Sequence, residues 1–331
     1  MKNRVFYVST PKFIDLVVEH INLCSNIKFI LILCVDKNNN IDDQLLRYLQ
    51  EKSIQLILLP IDVNKIWASI RLIFLSFIHK VNIIHLDGLS GVTSLILLLR
   101  YKKIIVSVHD VKPHTGEDVW FNVIRDRLLL IPRRIVLFSK YSLQEYHKIY
   151  GLTQKASQIN LPVYTKIYDI VTKKKVNLYF EEYYIIFGRI SPYKGIEKFI
   201  QEFISTNSLN KKLLIAGSPN YDFKPVYDKN IQYILKYISF QELKYLLFKC
   251  NGVIVPYLDA TQSGVISTAK AFKKPIYVRK IEAFLEFKNN DFVKLYDQQF
   301  NCEILEAPMQ SKKSKFNKDY SNQFTRIYKK L

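Results

Sequence analysis

Arg189 and Lys194 stand five positions apart in the segment Phe187–Lys198, which reads Phe-Gly-Arg-Ile-Ser-Pro-Tyr-Lys-Gly-Ile-Glu-Lys. An apolar run, Tyr183 to Phe187, precedes them, and Ile196, Phe199, Ile200 and Phe203 follow at the spacing of one helix face. Two cations therefore sit where a strand gives way to a helix. That position suits an anion such as a diphosphate. A solvated strand–helix loop would carry the same residue types, and the local pattern leaves both readings open.

Two further segments have chemical content. Val255-Pro256-Tyr257-Leu258-Asp259-Ala260-Thr261-Gln262-Ser263-Gly264-Val265-Ile266 reads as a strand end, a polar loop and a helix opening near Ser263-Gly264. The free N–H groups of a helix start attract anions, although Ser263 is equally explained as an N-cap. Val106 to Glu117 follows a buried strand and gathers His109, Asp110, His114 and Glu117. Two histidines and two carboxylates are metal-ligand types, but their spacing matches no standard ligand pattern. A catalytic or sugar-contacting His109 is the expectation, with a capping Asp110 and an exposed histidine as the alternative. A fourth window, Trp120 to Arg134, interleaves Arg125, Arg127, Arg133 and Arg134 with Val123, Ile124, Leu128 and Leu129. It suits an anionic membrane surface, or simply a helix packed on its own sheet.

The elements that must position these residues alternate regularly. Apolar runs at about 4–8, 28–34, 54–59, 82–86, 104–108 and 135–138 read as buried strands, separated by amphipathic windows at about 12–23, 41–51, 63–78, 90–100, 118–130 and 141–149. Residues 152–180 break the pattern and read as a linker. Strand signals then resume at 183–187, 212–216, 231–235, 252–256, 275–279 and 292–295. Ser239 with Glu242 three residues later marks a helix start. Strands alternating with helices imply parallel sheets covered on both faces. The expected fold is α/β, with two doubly wound Rossmann-like domains facing an interdomain cleft.

The chain has 331 residues, 49% hydrophobic content and a formal net charge of +20. Two domains with ample cores follow from the length. The charge attracts polyanions: nucleic acid, anionic lipid or phosphorylated substrates. The four cysteines are dispersed, which fits buried thiols in a reducing compartment rather than a disulfide framework or zinc site. The first apolar run is too short for a signal peptide, and no uncharged run approaches the ~20 residues a transmembrane helix needs. A soluble or peripheral protein is expected. There is no Gly-x-Gly-x-x-Gly after the first strand, no Walker lysine loop, no Gly-x-Ser-x-Gly elbow and no nucleic-acid-binding motif.

Together these segments resemble the GT-B glycosyltransferases of retaining family 4 (group 1), most strongly over residues 183–279. The resemblance implies an N-terminal acceptor-side domain over 1–165, a nucleotide-sugar-binding domain over 178–310, and a basic segment over 311–331 that is either a solvated tail or a closing helix. In that family the Arg-x4-Lys pair, here Arg189 and Lys194 beside Gly188, contacts the donor diphosphate. His109-Asp110 is similar to the family's His-Asp, whose histidine contacts the donor sugar near the reacting centre. The loop Asp259-Ala-Thr-Gln-Ser-Gly264 is similar to the family's C-domain loop that receives the donor sugar and diphosphate, which implies substrate contacts from Gln262, Ser263, Gly264, Val265 and Ile266.

Two departures stand out. Aligning the family's Glu-x7-Glu on Gly264 puts Thr261 and Ala269 at the glutamate positions. Ser9-Thr10-Pro11-Lys12 stands where a glycine-rich loop is usual, which leaves acceptor placement undefined.

The activity implied is that of a retaining hexosyltransferase-type glycosyltransferase (EC 2.4) with no required cofactor and no metal. A UDP-sugar is the expected donor. The expected acceptor is a hydroxyl of a saccharide, polyprenyl-diphosphate-linked, in bacterial capsule, exopolysaccharide or O-antigen synthesis. The expected location is cytoplasmic, peripheral on the inner face of the plasma membrane, without nucleic acid as partner. The missing glutamates support an alternative, a non-catalytic GT-B-like scaffold subunit. Charge alone supports a third, a polyanion binder.

Overall fold

The computed structural model describes residues 4–37, 41–61, 65–81, 83–100, 104–112, 128–297, 299–306, 317 and 319–329. The chain divides into two compact units. The first comprises Met1–Pro162 with Phe316–Leu331, and the second Val163–Lys315.

The first unit carries strands β1 (Arg4–Ser9), β2 (Lys28–Val35), β3 (Gln55–Pro60), β4 (Ile83–Asp87), β5 (Ile104–Val108), β6 (Arg134–Leu137) and β7 (Ala156–Gln158). They pair in parallel in the order β3-β2-β1-β4-β5-β6-β7. The second carries β8 (Tyr184–Phe187), β9 (Leu213–Ala216), β10 (Ile231–Ile234), β11 (Gly252–Val255), β12 (Ile276–Arg279) and β13 (Val293–Tyr296). Their order is β10-β9-β8-β11-β12-β13, again parallel. The chain winds outward from β1, returns to β4 and winds out the other way; β8 and β11 repeat this. Each reversal opens a crevice at the carboxyl ends of the two central strands. Ser9 and Asp87 end β1 and β4, and Gly188 and Pro256 follow β8 and β11 directly.

The strands are continuous apolar runs because both faces are covered. β1 buries Val5 to Ser9 and β8 buries all four of its residues. One core joins Phe6, Ile32, Leu86, Val106 and Leu137 in the first unit. Another joins Ile186, Phe199, Phe203, Ile215 and Phe300 in the second. All four cysteines are buried free thiols. Ser239 and Glu242 form the capping box their spacing predicts.

Two regions differ from, or resolve, the sequence reading. The linker expected over 152–180 contains β7, paired to β6 through Ile135 and Ala156, and the helix Thr165–Ile170. β7 is a three-residue polar edge strand of intermediate burial, so it carries no apolar signal. The basic C-terminal segment holds the helix Tyr320–Lys329, which belongs to the first unit and buries Tyr320, Phe324, Ile327 and Tyr328 on one face. The Tyr328 hydroxyl sits between His20 Nε2 (2.8 Å) and His85 Nδ1 (2.7 Å). The other ring nitrogens meet the Tyr320 hydroxyl (3.0 Å) and Ser107 Oγ (2.8 Å). Burial holds both imidazoles neutral, His85 down to about 4. The five groups form one buried hydrogen-bonded chain, Tyr320–His20–Tyr328–His85–Ser107.

Candidate functional site

In the second unit, Gly188 follows β8 with φ +89°. A Cβ there would lie 3.4 Å from Lys194 Nζ, so the ammonium rests against the glycine. A short 3-10 turn, Pro192–Lys194, folds Lys194 back over the strand end. Gly195 follows at φ +62°, where a Cβ would lie 2.6 Å from Leu258 Cγ; only glycine lets the loops after β8 and β11 approach this closely. The Tyr193 carbonyl accepts from Leu258 N (2.9 Å) and Asp259 N (3.3 Å), which ties the two loops together.

The helix Gly264–Ala271 starts beside them. Ser263 Oγ accepts from Ile266 N at 3.4 Å, a weak N-cap, and shares a hydrogen bond with the Tyr257 hydroxyl. Lys194 Nζ lies 5.2 Å from the Tyr257 ring centroid, and Val265 Cγ2 reaches the space over Gly188. The fold thus brings Gly188, Lys194, Ser263 and Val265 to one place, with Arg189 exposed next to Gly188. Ile266 and Ala269 are buried, and Gln262 is half-buried. Thr261 is also buried, so neither position aligned with the family's glutamates offers an exposed side chain.

Lys194 is 5% exposed, and among the described residues no carboxylate pairs with it. Desolvation, and then the charge of Arg189, lower its pKa to about 7. Ser191 Oγ, also buried, has no hydrogen-bond partner among the described residues. Such a site suits an anion: it combines two cations, an aromatic ring and a helix N-terminus.

In the first unit, His109 follows β5 and is buried. Its Nε2 lies 2.7 Å from Asp87 Oδ1, because strand order sets β4 beside β5. Asp87 Oδ2 accepts from Ser9 Oγ (2.7 Å) and Tyr7 Oη (3.2 Å). Burial pushes the Asp87 carboxyl up, but His109, Ser9 and His85 outweigh it, and the net shift is down. The imidazole stacks on Phe13 at 3.7 Å between centroids and 5°. Asp15 lies close enough to interact electrostatically with both His109 and Asp87. Burial raises it to about 6, against the opposing bond from Leu16 N (2.8 Å) and the pull of His109.

Asp15, Asp87 and His109 gather at the first reversal. Only His109, with Asp110 beside it, carried a sequence signal; Asp87 was detectable as the last residue of an apolar strand followed by glycine. His114, Glu117 and the Trp120 to Arg127 part of the basic window lie outside the described residues. Arg134 lies in β6 and donates to the Gln154 carbonyl at 2.7 Å.

No protein-family model matches the chain, and no curated protein matches it in sequence. Solved structures do match. The Anabaena protein HepE in complex with UDP-glucose superposes with a TM-score of 0.64 at 12% identity, over 92% of this chain and 88% of that one. Sucrose-phosphate synthase from Thermosynechococcus elongatus gives 0.63 at 11%, over 92% and 88%. UDP-N-acetylglucosamine 2-epimerase from Rickettsia bellii gives 0.56 at 12%, over 100% and 95%. At these identities the likeness is one of fold: this chain has the GT-B architecture, two doubly wound Rossmann-like units, that these proteins share.

Proposed function

We propose that the chain is a nucleotide-sugar-dependent glycosyltransferase. The observation that carries the reading is Lys194, a buried cation without a carboxylate partner among the described residues, set at the second sheet's reversal against a helix N-terminus. Burying an unpaired ammonium is costly, and a diphosphate restores the balance. HepE, of the same fold, is a complex with UDP-glucose, which makes UDP the first nucleotide to test.

In this reading Arg189, Lys194 and the N–H groups opening at Gly264 hold the donor diphosphate. Their fixed positive potential stabilises the charge that grows on the leaving phosphate as the sugar departs. Gly188 leaves room for the phosphate beside Lys194. Ser263, Val265, Ile266 and Gln262 shape the loop that receives it. His109, oriented by Asp87, is proposed to contact the reacting sugar beside Asp110, and transfer goes to an acceptor hydroxyl with retained configuration. No metal or cofactor is assigned a role, since the two side-chain cations supply the charge. The finer proposal is a lipid-linked saccharide acceptor in surface-polysaccharide synthesis, motivated by the +20 charge.

Thr261 and Ala269 in place of carboxylates support a second reading, a binding subunit without transfer activity. A thermal-shift panel of UDP, GDP, CMP and TDP sugars separates the cases, because a ligand that binds only the folded state raises the melting temperature. Stabilisation by one class, lost in Arg189→Ala and Lys194→Ala, supports the donor site. No response to any of them overturns it. Mass analysis of the products then distinguishes transfer from epimerisation and from binding alone.

A further inference from the structure

Six large apolar side chains of the first unit are exposed on one helix, Lys65–Ile78. At about 100° per residue, Ile66, Trp67, Ile70, Phe74, Phe77 and Ile78 fall within an arc of about 120°. Ala68, Ser69, Leu72 and Ser76 are buried on the opposite side. The helix thus has two apolar faces: one packs on the sheet and the other meets solvent, with Trp67 at 68% and Phe74 at 61% exposure. Scattered exposed apolar residues are ordinary; a contiguous stripe with a tryptophan and two phenylalanines marks an interaction surface.

We propose that this face is an in-plane docking surface for an anionic lipid bilayer. Charge complementarity selects the occupant. Residues 65–80 carry Lys65, Arg71 and Lys80 and no aspartate or glutamate, and all three cations are exposed. Arg71 borders the apolar arc, where its head reaches lipid phosphates while the apolar side chains enter the headgroup boundary. An anionic leaflet attracts such cations. A second copy of the chain fits less well: an isologous contact sets the same helix against itself, so Lys65 and Arg71 would meet their equivalents with no acidic residue on the helix to neutralise them. Crossing the bilayer is excluded for this helix. Its 14 residues span about 21 Å, short of the ~30 Å hydrocarbon core, and none of the described helices is long and apolar enough to cross.

The surface is independent of the donor site, so the two ideas fail separately. Flotation of the full chain with phosphatidylcholine vesicles, with and without phosphatidylglycerol, tests it. Binding is expected to the anionic vesicles, weakened by salt. In Trp67→Ser with Phe74→Ser the partition coefficient falls about a hundredfold, about tenfold per side chain. In Lys65→Glu with Arg71→Glu the preference for anionic vesicles disappears. These residues are exposed, so melting temperature and UDP-induced shift stay unchanged and report an intact fold. With Trp120 replaced by phenylalanine, Trp67 is the sole tryptophan, and its emission shifts to the blue on the same vesicles. No binding to anionic vesicles, or wild-type binding by the double serine variant, overturns the proposal. So does a dimer by light scattering that Phe74→Ser dissociates while vesicle binding is absent.

Discussion

The two sheets share one winding order and place a polar cluster at the same point, yet the clusters differ in how their charge is balanced. In the first unit, Asp87 accepts from His109, Ser9 and Tyr7, so the buried carboxylate is fully engaged by its own chain. In the second, Lys194 is as deeply buried and no described carboxylate answers it. A closed network spends its interactions on holding side chains still. An open one retains charge for something that arrives. Topology says where a ligand site lies in such sheets; charge balance says which of two equivalent positions is the better suited to an anion.

The strongest way to break this comparison is a pair of substitutions with opposite effects. Lys194→Met should weaken UDP binding by about 3 kcal/mol, more than a hundredfold in Kd by calorimetry. It should also raise the stability of the free protein. The folded-state pKa of Lys194 is depressed, so below about pH 7 the folded protein carries the full cost of a buried charge. That cost, of the order of a few kcal/mol, fades as pH rises toward the unfolded pKa near 10.5. The stability advantage of Lys194→Met should shrink over the same window. Asp87→Ala should do the reverse: lose about 3 kcal/mol of stability in urea titrations by leaving His109, Ser9 and Tyr7 without their acceptor, and leave UDP affinity within about twofold. If Asp87→Ala abolishes UDP binding, or Lys194→Met destabilises, the division between closed and open clusters is wrong.

The sequence showed the open cluster and hid the closed one. Arg189, Lys194 and Gly188 lie within seven residues, and a strand–turn–helix pattern places them without knowledge of the rest of the fold. The Asp87–His109 pair is 22 residues apart and depends on β4 lying beside β5 in a given register, which no local pattern encodes. His20, His85 and Tyr328 meet only because a C-terminal helix returns to the first sheet. The strands were legible because buried parallel strands are near-continuous apolar runs; β7, polar and at an edge, was not. The helix Lys65–Ile78 was legible as a helix, but with apolar residues on both sides its periodicity did not say which face meets the sheet.

Two intermediate effects sharpen the contrast. Tyr328→Phe removes the hydroxyl between two buried imidazoles and should cost about 2 kcal/mol in urea titrations, with UDP affinity unchanged. On the open side, UDP affinity should fall about fivefold from pH 7 to pH 8, since the fraction of free protein carrying a charged Lys194 falls by that factor when its pKa is about 7. Lys194→Arg keeps its charge and should flatten this profile; a fivefold fall that persists in the arginine variant removes Lys194 as its cause.

The smallest effect concerns Ser263, which belongs to both descriptions. Its Oγ already accepts from Ile266 N and bonds the Tyr257 hydroxyl, the group beneath Lys194. An oxygen so engaged is a cap and a brace for the ring rather than a free phosphate ligand. Ser263→Ala should therefore cost about 1 kcal/mol of stability, the usual loss for an N-cap, and weaken UDP by no more than about threefold. Ser263→Thr keeps the hydroxyl and should recover most of both losses. A tenfold or greater loss of UDP affinity in Ser263→Ala, at unchanged stability, would instead make Ser263 a direct phosphate contact and extend the open cluster into the helix start itself.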